Sequence, residues 1–231
     1  MRNWPQKPPL GVPINWGDPL ARGLVGCWLM NEGGGNRVND LSGNGNVGTF
    51  SGDVSWSPAK FGNGVYFAGD TDYISIGDKA TLENLTQVTL LAWCNPTNVT
   101  GQKCLIDKAS KYHLELYNTQ ARIRTWANSA DVIVVSDNLV IAIGVWSCVV
   151  GTYDGANNKI YVNGIFYNSG AQTGTITGST APVAIGAYST TPSVLEFPGI
   201  MDHVMMWNRA LTATEVQQLY MTPFRMFQES F

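Results

Sequence analysis

The fold is decided by two adjacent stretches, Trp146-Ser-Cys-Val-Val-Gly-Thr-Tyr-Asp-Gly155 and Lys159-Ile-Tyr-Val-Asn-Gly164. Each is a short run of β-branched and aromatic residues that ends in a turn signal, Asp154-Gly155 or Asn163-Gly164. Such pairs readily adopt the positive φ angles that tight hairpins require. The two stretches therefore predict consecutive antiparallel strands joined by tight turns.

Similar short runs recur from Leu24 onward, between further turn signals such as Gly43-Asn-Gly-Asn46 and Gly69-Asp70. Because no helical pattern alternates with them, they favour an all-β sandwich of two antiparallel sheets. The clearest predicted strands are 65–76, 88–94, 112–117, 122–126, 145–153, 159–166, 183–185 and 201–207.

Three segments are predicted along the chain. Residues 1–23 contain five prolines and almost no alternation, which indicates an extended arm. Residues 24–221 form the sandwich, and 222–231 form an apolar tail. The sandwich ends in one short helix, from Ala213 to about Tyr220, because Thr212-Ala-Thr-Glu215 is a capping box.

The composition argues against several partners. Charged residues make up 13% of the 231 residues and the net charge is -3, so the chain has no large positive field for phosphates or anionic lipids. Nucleic acid is therefore not an expected partner. A run of 18 apolar residues does not occur, so no membrane span is predicted. The first residues also lack the layout of a secretory signal, which predicts a protein that is not exported by that route.

The four cysteines, Cys27, Cys94, Cys104 and Cys148, contain no CxxC pair. Three of them lie in apolar strand-like runs, where a free thiol behaves as a small hydrophobic group. We predict buried free thiols, with a Cys94–Cys104 bridge across the intervening turn as the alternative.

Five further motifs accompany the hairpin in sequence order. They are Gly26-Cys-Trp-Leu-Met-Asn-Glu32, Asp40-Leu-Ser-Gly-Asn-Gly-Asn46, Phe61-Gly-Asn-Gly64 leading to Phe67-Ala-Gly-Asp-Thr-Asp-Tyr73, Ala92-Trp-Cys-Asn-Pro96, and Gly199-Ile-Met-Asp-His-Val-Met-Met-Trp-Asn-Arg-Ala-Leu211. Together they resemble the laminin-G-like branch of the concanavalin A-like lectin/glucanase jelly rolls. The resemblance runs from about Leu24 to Tyr220 and implies a two-sheet antiparallel jelly roll, but a fold does not give a function.

Catalysis is not predicted. Glucanases of the family that this chain resembles carry two or three carboxylates at alternating positions of one strand, which places acid and nucleophile on one face. Here Glu115 is alone within 112–117. The arginine-rich strand, Gln-x-His strand and tyrosine of the alginate-lyase branch do not occur together either. A glycosidase or polysaccharide lyase is the least favoured alternative.

Strand alternation predicts a candidate glycan-binding face. Residues two apart on a strand share one face. If the strands 112–117 and 122–126 pair, one face carries side chains that can stack on a sugar and bind its hydroxyls. The alternative is an ordinary solvated face with cross-strand ion pairs. The predicted glycan-face residues are His113, Glu115, Tyr117, Arg122, Arg124 and Trp126.

The resemblance also implies a structural Ca²⁺ on the rim of the jelly roll. Asp202 matches the last-strand carboxylate of that site, and Glu32 and the carbonyl of Gly69 are the nearest equivalents of its other ligands. Calcium takes six to eight oxygen ligands, which such loops supply together with water. The alternative is an Asp202 carboxylate that is satisfied by backbone amides.

The two ends are predicted to make contacts between chains, because apolar anchors with few charges near them tend to mark an interface. In the alternative, both ends fold back onto their own sandwich and close its edges. The predicted assembly contacts are Trp4, Leu10, Ile14, Trp16, Phe224, Phe227 and Phe231.

The segment from Pro8 to Leu24 resembles the leader of laminin-G-like proteins encoded by tailed bacteriophages. The resemblance implies a non-catalytic virion surface protein, either a capsid decoration or tail-associated, that is assembled in the host cytoplasm. Its expected partners are further copies of the chain, a major capsid or tail protein, or both, with a cell-surface glycan as an additional candidate. The alternative is a soluble carbohydrate-binding lectin.

Overall fold

The computed structural model describes residues 6–69, 71–128 and 130–227. Within these ranges the chain forms sixteen strands, one α-helix, α1, at Ala213–Met221, and two 3-10 helices, Pro19–Ala21 and Ala80–Leu82. The strands are β1 Leu24–Trp28, β2 Arg37–Val38, β3 Gly48–Ser51, β4 Ser55–Ala59, β5 Gly62–Phe67, β6 Tyr73–Gly77, β7 Val88–Pro96, β8 Gln102–Lys108, β9 Tyr112–Tyr117, β10 Gln120–Ala127, β11 Ala130–Val135, β12 Ser147–Tyr153, β13 Asn157–Val162, β14 Ile165–Ala171, β15 Val183–Ile185 and β16 Gly199–Trp207.

These strands form two antiparallel sheets. The order in the first sheet is β14-β13-β12-β7-β16-β5-β4, and β1 also pairs with β16. The order in the second sheet is β11-β10-β9-β8-β15-β6-β3-β2. The two sheets pack on a shared apolar core, and α1 follows the last strand. The predicted all-β, two-sheet jelly roll with one short C-terminal helix is confirmed.

The hairpin that begins at Trp146 forms as predicted. β12 and β13 pair in antiparallel register, with Val149 opposite Val162. The turn from β13 to β14 places Asn163 at φ 52° and Gly164 at φ 78°. Asn and Gly adopt this left-handed conformation at low cost, which is why the pair closes a tight hairpin.

Large apolar side chains from both sheets fill the space between them. Trp28, Phe67, Tyr112, Tyr153 and Phe197 are all fully buried there. Burying a large apolar side chain contributes roughly 1.5–3 kcal/mol. This core therefore holds the two sheets together.

The first sheet is buried on both faces. β7, β12 and β16 at its centre are buried at almost every position. The side chains that point away from the second sheet, such as Leu91, Cys148 and Trp207, belong to a second apolar cluster. Residues of α1 and of both chain ends complete that cluster and cover the sheet.

Both ends of the chain fold back onto this second cluster. Ile14 forms an antiparallel bridge with Phe227, and the Trp207 indole donates to the carbonyl oxygen of Leu20 at 2.7 Å. Phe224 is fully buried. The prediction that Ile14, Phe224 and Phe227 make contacts between chains is therefore wrong, because these side chains fill the core of their own chain.

Of the other four predicted assembly contacts, two are exposed and two lie outside the described residues. Leu10 and Trp16 are 61% and 54% exposed, so both can reach a partner. Trp4 and Phe231 lie outside the described residues. Where they are described, the segments 1–23 and 222–231 are thus part of the same packed domain rather than free arms.

The C-terminal helix begins at the predicted capping box. Thr212 Oγ1 accepts a hydrogen bond from the Glu215 N–H, and the Glu215 carboxylate accepts one from the Thr212 N–H at 2.8 Å. Val216 and Leu219 are its buried residues and lie in the second apolar cluster. Neither α1 nor any other helix among the described residues has the length and apolar character needed to cross a membrane.

All four cysteines are free and buried, which confirms the predicted free thiols. Cys94 lies on β7 of the first sheet and points into the main core. Cys104 lies on β8 of the second sheet, opposite Glu115 of β9. The alternative of a bridge between Cys94 and Cys104 is wrong, because both thiols are free and Cys94 belongs to the main core whereas Cys104 does not.

We expect Phe224→Ala to lower the free energy of unfolding by about 3–5 kcal/mol, because it removes a large buried ring from the second cluster. Leu10→Ala, at an exposed position of the other chain end, serves as the control and is expected to change it by less than about 0.5 kcal/mol. Urea denaturation measures both. Equal, small effects would show that the tail is not part of the core.

Candidate functional site

The second sheet brings the six predicted glycan-face residues onto one surface. In the β9–β10 pairing, Arg122 lies opposite Glu115 and Arg124 lies opposite His113. Half-buried and buried residues alternate along β10, so its half-buried residues point away from the main core. We call this surface the outer face, and it consists of His113, Glu115, Tyr117, Arg122, Arg124 and Trp126.

Two of these six side chains do not reach solvent. His113 is 1% exposed and Glu115 is 0% exposed. The rings of Trp126 and Tyr188 pack on the His113 imidazole, at centroid distances of 4.6 and 5.6 Å. The prediction that His113 and Glu115 contact a glycan directly is therefore wrong, because other side chains lie between them and solvent.

The Glu115 carboxylate is the centre of a buried polar network. It accepts hydrogen bonds from Arg122, at 2.8 Å from Nε, and from the Gln102 amide. Burial raises the pKa of Glu115, but His113 and Arg122 outweigh burial and hold this pKa below its ordinary value. Burial lowers the pKa of His113, but the carboxylates of Asp107 and Glu115 outweigh burial and raise it. Ionic groups thus lie directly beneath the outer face.

The exposed part of the outer face consists of arginines stacked on aromatic rings. The Arg122 guanidinium lies 4.3 Å from the centre of the Tyr117 ring, and that of Arg124 lies 4.3 Å from the centre of the Trp126 ring. Arg124 also donates to the Asp131 carboxylate at 2.9 Å from Nε. A sugar that stacks on this side of Trp126 must first displace Arg124, so hydrogen bonding is the chemistry that this surface offers most directly.

An open groove of about 570 Å³ lies beside the outer face. Its Tyr188 ring contacts His113, and its Lys111 carbonyl accepts a hydrogen bond from the Trp126 backbone N–H at 2.9 Å. One aromatic ring, one ammonium group and several hydroxyls therefore face the same space. We call it the Tyr188 groove, and its polar and aromatic lining is Ser110, Lys111, Ser179, Thr180, Tyr188 and Thr190.

Sequence reasoning missed three neighbours of the outer face: Cys104, Asp107 and Tyr188. The pairing of β8 with β9 shifts register between Cys104 and Ile106, and this bulge lets Cys104 and Asp107 share a face although they are three residues apart. Tyr188 lies in the loop after β15, where alternation predicts nothing. The one sequence signal was Asp107 itself, a charged residue after two apolar ones.

The predicted calcium ligand Asp202 is fully buried and already paired. Lys7 Nζ lies 3.1 Å from its Oδ1, and the Phe61 N–H donates to its Oδ2 at 2.8 Å. His203 Nδ1 lies 2.7 Å from Oδ1. These residues do not fit a calcium ion, because an ammonium group already balances the carboxylate and amide and imidazole groups take up its oxygens.

The other two predicted calcium ligands are Glu32 and Gly69. Glu32 Oε1 accepts a hydrogen bond from the Asn39 N–H at 2.7 Å. Gly69 lies four residues beyond Val65, which is opposite Met201 in the β5–β16 pairing. Gly69 thus lies two residues beyond Phe67, where β5 ends. The calcium site at Asp202, Glu32 and Gly69 therefore stays a prediction, and the Lys7 ammonium beside Asp202 does not fit it.

We expect Asp202→Asn to lower the free energy of unfolding by about 3–5 kcal/mol at neutral pH, because it leaves the buried Lys7 ammonium without its counter-charge. Burial lowers the pKa of Lys7 from 10.5 to about 8, so the folded protein releases this proton before the unfolded chain does. Above that pH the neutral amine needs no counter-charge, and the loss caused by Asp202→Asn is expected to shrink. Urea denaturation on both sides of pH 8 measures the difference.

Asp53→Asn removes an exposed carboxylate and serves as the control, with little effect expected at either pH. A loss in Asp202→Asn that does not change across pH 8 would contradict the ion pair. Added calcium is expected to leave the melting temperature of the wild type unchanged. A rise in melting temperature with calcium that occurs in the wild type but not in Asp202→Asn would support a calcium site at Asp202.

A family model and several solved structures are similar to this chain. The family model Laminin_G_3, described as concanavalin A-like lectin/glucanases superfamily, matches residues 68–217, about two thirds of the chain. No curated protein matches the chain in sequence.

Solved structures share the fold at low sequence identity. The binding domain of Paraclostridial Mosquitocidal Protein 1 superposes with a TM-score of 0.72 at 14% identity, over 89% of this chain and 53% of that one. Domain 4 of AbnA, a GH43 extracellular arabinanase from Geobacillus stearothermophilus, superposes with a TM-score of 0.66 at 20% identity, over 85% and 98%. The ligand-binding domain of botulinum neurotoxin serotype D gives 0.67 at 12% identity, over 87% and 51%. The chain thus spans about half the length of the toxin domains and nearly all of the arabinanase domain.

Proposed function

The chain belongs to the concanavalin A-like lectin/glucanases superfamily, and we propose that it is a non-catalytic carbohydrate-binding module that holds a glycan in the Tyr188 groove. The observation that carries this proposal is the continuity of that groove with the outer face. Together they offer an aromatic wall, hydroxyl groups and charged hydrogen-bonding groups along one surface.

The chemistry of the groove suits a sugar. A sugar has apolar C–H faces and a rim of hydroxyls, so it needs a flat ring beside donors and acceptors. Tyr188 is half-buried and supplies the ring, while Lys111 and Thr190 supply polar groups on the same groove. Small-molecule sites typically combine a concave, partly apolar surface with a few placed polar groups.

The exposed outer face extends the same binding surface. Arg124 of β10 and Asp131 of β11 present paired charged groups, and both side chains are partly exposed. Such groups form strong hydrogen bonds to hydroxyls and fix the orientation of a ligand. A chain of several sugar residues can therefore contact both the groove and the outer face.

Two of the similar structures support carbohydrate as the ligand class. Domain 4 of the GH43 arabinanase was solved in complex with arabinotriose. The serotype D ligand-binding domain was solved in complex with N-acetylneuraminic acid. Both are similar to this chain in fold alone, so a sugar site in this chain depends on the residues of its own groove.

Binding without catalysis agrees with the state of the two carboxylates that lie beneath the outer face. Glu115 is enclosed and paired with Arg122, and Asp107 is fully buried. A glycosidase needs two carboxyl groups that both reach the scissile bond. Neither of these carboxylates reaches the groove surface, which supports a lectin-like role.

We expect Tyr188→Ala to weaken glycan binding by about tenfold or more, because loss of a central aromatic contact costs at least about 1.4 kcal/mol. A glycan array that includes arabinotriose and N-acetylneuraminic acid identifies the ligand, and isothermal titration calorimetry measures its affinity. Tyr66→Ala removes an exposed tyrosine from the first sheet and serves as the control.

Equal affinities for wild type, Tyr188→Ala and Tyr66→Ala would move the site away from the groove. An array on which the folded wild type binds no glycan would contradict the lectin-like role itself. Circular dichroism of each variant establishes that the fold is kept, since Tyr188 also packs on His113.

Display on a tailed-phage virion is a second candidate function, favoured by two exposed apolar side chains. Leu10 and Trp16 remain exposed on an N-terminal segment whose Ile14 and Leu20 are buried. Exposed aromatic and aliphatic groups on a rigid segment are typical contact residues of protein interfaces. In this role they bind a capsid or tail protein, or a second copy of the chain, while the Tyr188 groove faces outward.

We expect the full-length double variant Leu10→Ser with Trp16→Ser to keep its fold but to lose association with phage particles that carry the wild-type chain, because both contacts become polar. Co-sedimentation with purified particles measures the loss. Phe166→Ser, at an exposed aromatic on β14, is the control. Undiminished association of the double variant would contradict this attachment.

A further inference from the structure

A cluster of three metal-ligating side chains lies beneath the outer face. Cys104, Asp107 and His113 each offer one ligand atom, and these atoms lie within 4.8 Å of one another. All three residues are at most 1% exposed. A thiol, a carboxylate and an imidazole in one buried place form a donor set that suits zinc and related divalent ions.

Two of the side chains in this cluster form a close ion pair, but their facing atoms make no aligned hydrogen bond. Among the described residues, Asp107 Oδ1 and both ring nitrogens of His113 make no hydrogen bond. His113 Nε2 lies 2.7 Å from Asp107 Oδ1, but the two atoms are not aligned as donor and acceptor. Leaving buried polar atoms without a hydrogen bond costs about 1–3 kcal/mol each. These atoms therefore point to a ligand that binds all of them.

The β8 bulge and neighbouring groups position the three metal-ligating side chains. The bulge in β8 turns Cys104 and Asp107 to the same face. Asp107 Oδ2 accepts a hydrogen bond from the Ser189 N–H at 2.7 Å, which leaves Oδ1 free. Glu115 Oε2 lies 3.8 Å from the other ring nitrogen of His113. A carboxylate behind a histidine is the usual support of a metal-binding imidazole.

We propose that Cys104 Sγ, Asp107 Oδ1 and His113 Nε2 bind one Zn²⁺-class ion. A tetrahedral zinc ion with bonds of about 2.0–2.3 Å keeps its ligand atoms roughly 3.5 Å apart. The observed separations, from 2.7 Å to at most 4.8 Å, bracket that spacing. Small side-chain movements therefore complete the three-residue set, and a water molecule supplies the fourth ligand.

The charges around the cluster favour a cation. Asp107 and Glu115 are both buried carboxylates, and Arg122 bonds to only one of them. When the ion binds, a bond forms between Zn²⁺ and the Cys104 sulfur, and the thiol proton passes to solvent. Calcium binds oxygen ligands, whereas softer metals bind thiolates well. The Cys104 thiolate therefore makes the site selective for softer metals.

Such an ion would link the sheet to the Tyr188 groove. Its ligands come from β8 and β9, while Asp107 also holds Ser189, the residue next to Tyr188. Tyr188 and Trp126 pack over the His113 imidazole. The metal would therefore fix the wall of the groove and would not itself contact a glycan.

The test uses full-length protein that has been stripped with a chelator and then titrated with Co²⁺ and Zn²⁺. We expect one Co²⁺ per chain with the charge-transfer absorption of a cobalt–thiolate bond, displaced by Zn²⁺, and a rise in melting temperature with added zinc, because the ion binds only the folded state. Cys104→Ser and His113→Gln are expected to weaken metal binding at least about tenfold. Cys94→Ser is the matched control, since Cys94 is also a buried free thiol but lies in the main core.

Absence of the cobalt–thiolate band in the wild type would overturn the proposal without any variant. The same band in Cys104→Ser, or its loss in Cys94→Ser alone, would also overturn it. If His113→Gln does not fold, Asp107→Asn keeps the Ser189 hydrogen bond and gives the second test. Undiminished zinc affinity in that variant would remove Asp107 from the site.

Discussion

The first sheet is apolar on both faces, and the rest of the molecule is arranged around the need to cover them. One face packs on the second sheet, as in any sandwich. The other would expose Leu91, Val150, Met205 and Trp207 if nothing lay on it. Exposing apolar surface to water costs roughly 25 cal/mol per Å². The helix and both chain ends therefore close over it, which explains why the proline-rich segment and the aromatic tail are ordered against their own chain.

This arrangement leaves the second sheet as the side where polar chemistry collects. Its inner face faces the core, and its outer face is covered only locally, by Tyr188, Ser189 and side chains of the sheet itself. The result is a layered surface with buried ionic groups below, stacked arginines and aromatic rings above, and a groove at one side. The proposed glycan site and the proposed metal site belong to different layers of this one surface, so either can exist without the other.

Features that depend on local geometry could be predicted from the sequence. Period-two alternation correctly placed His113, Arg122 and the other four residues on one face, because the pleat of a strand fixes which side chains share a side. The capping box predicted the start of α1 for an equally local reason. Long-range contacts could not be predicted from the sequence. No sequence pattern pairs Lys7 with Asp202, and the bulge that turns Asp107 outward depends on how β8 pairs with β9.

Burial was the other property that alternation did not predict. Glu115 and Tyr117 belong to one face of one strand, yet one is 0% and the other 39% exposed, because loops and long side chains cover the sheet unevenly. The central claim is that this uneven cover leaves a sugar site at the Tyr188 groove. Chemical-shift mapping of backbone amides during a titration with the best array glycan tests it most directly. We predict shifts concentrated at 109–111, 179–181 and 188–190; shifts confined to the ends of the first sheet would contradict a sugar site in the groove.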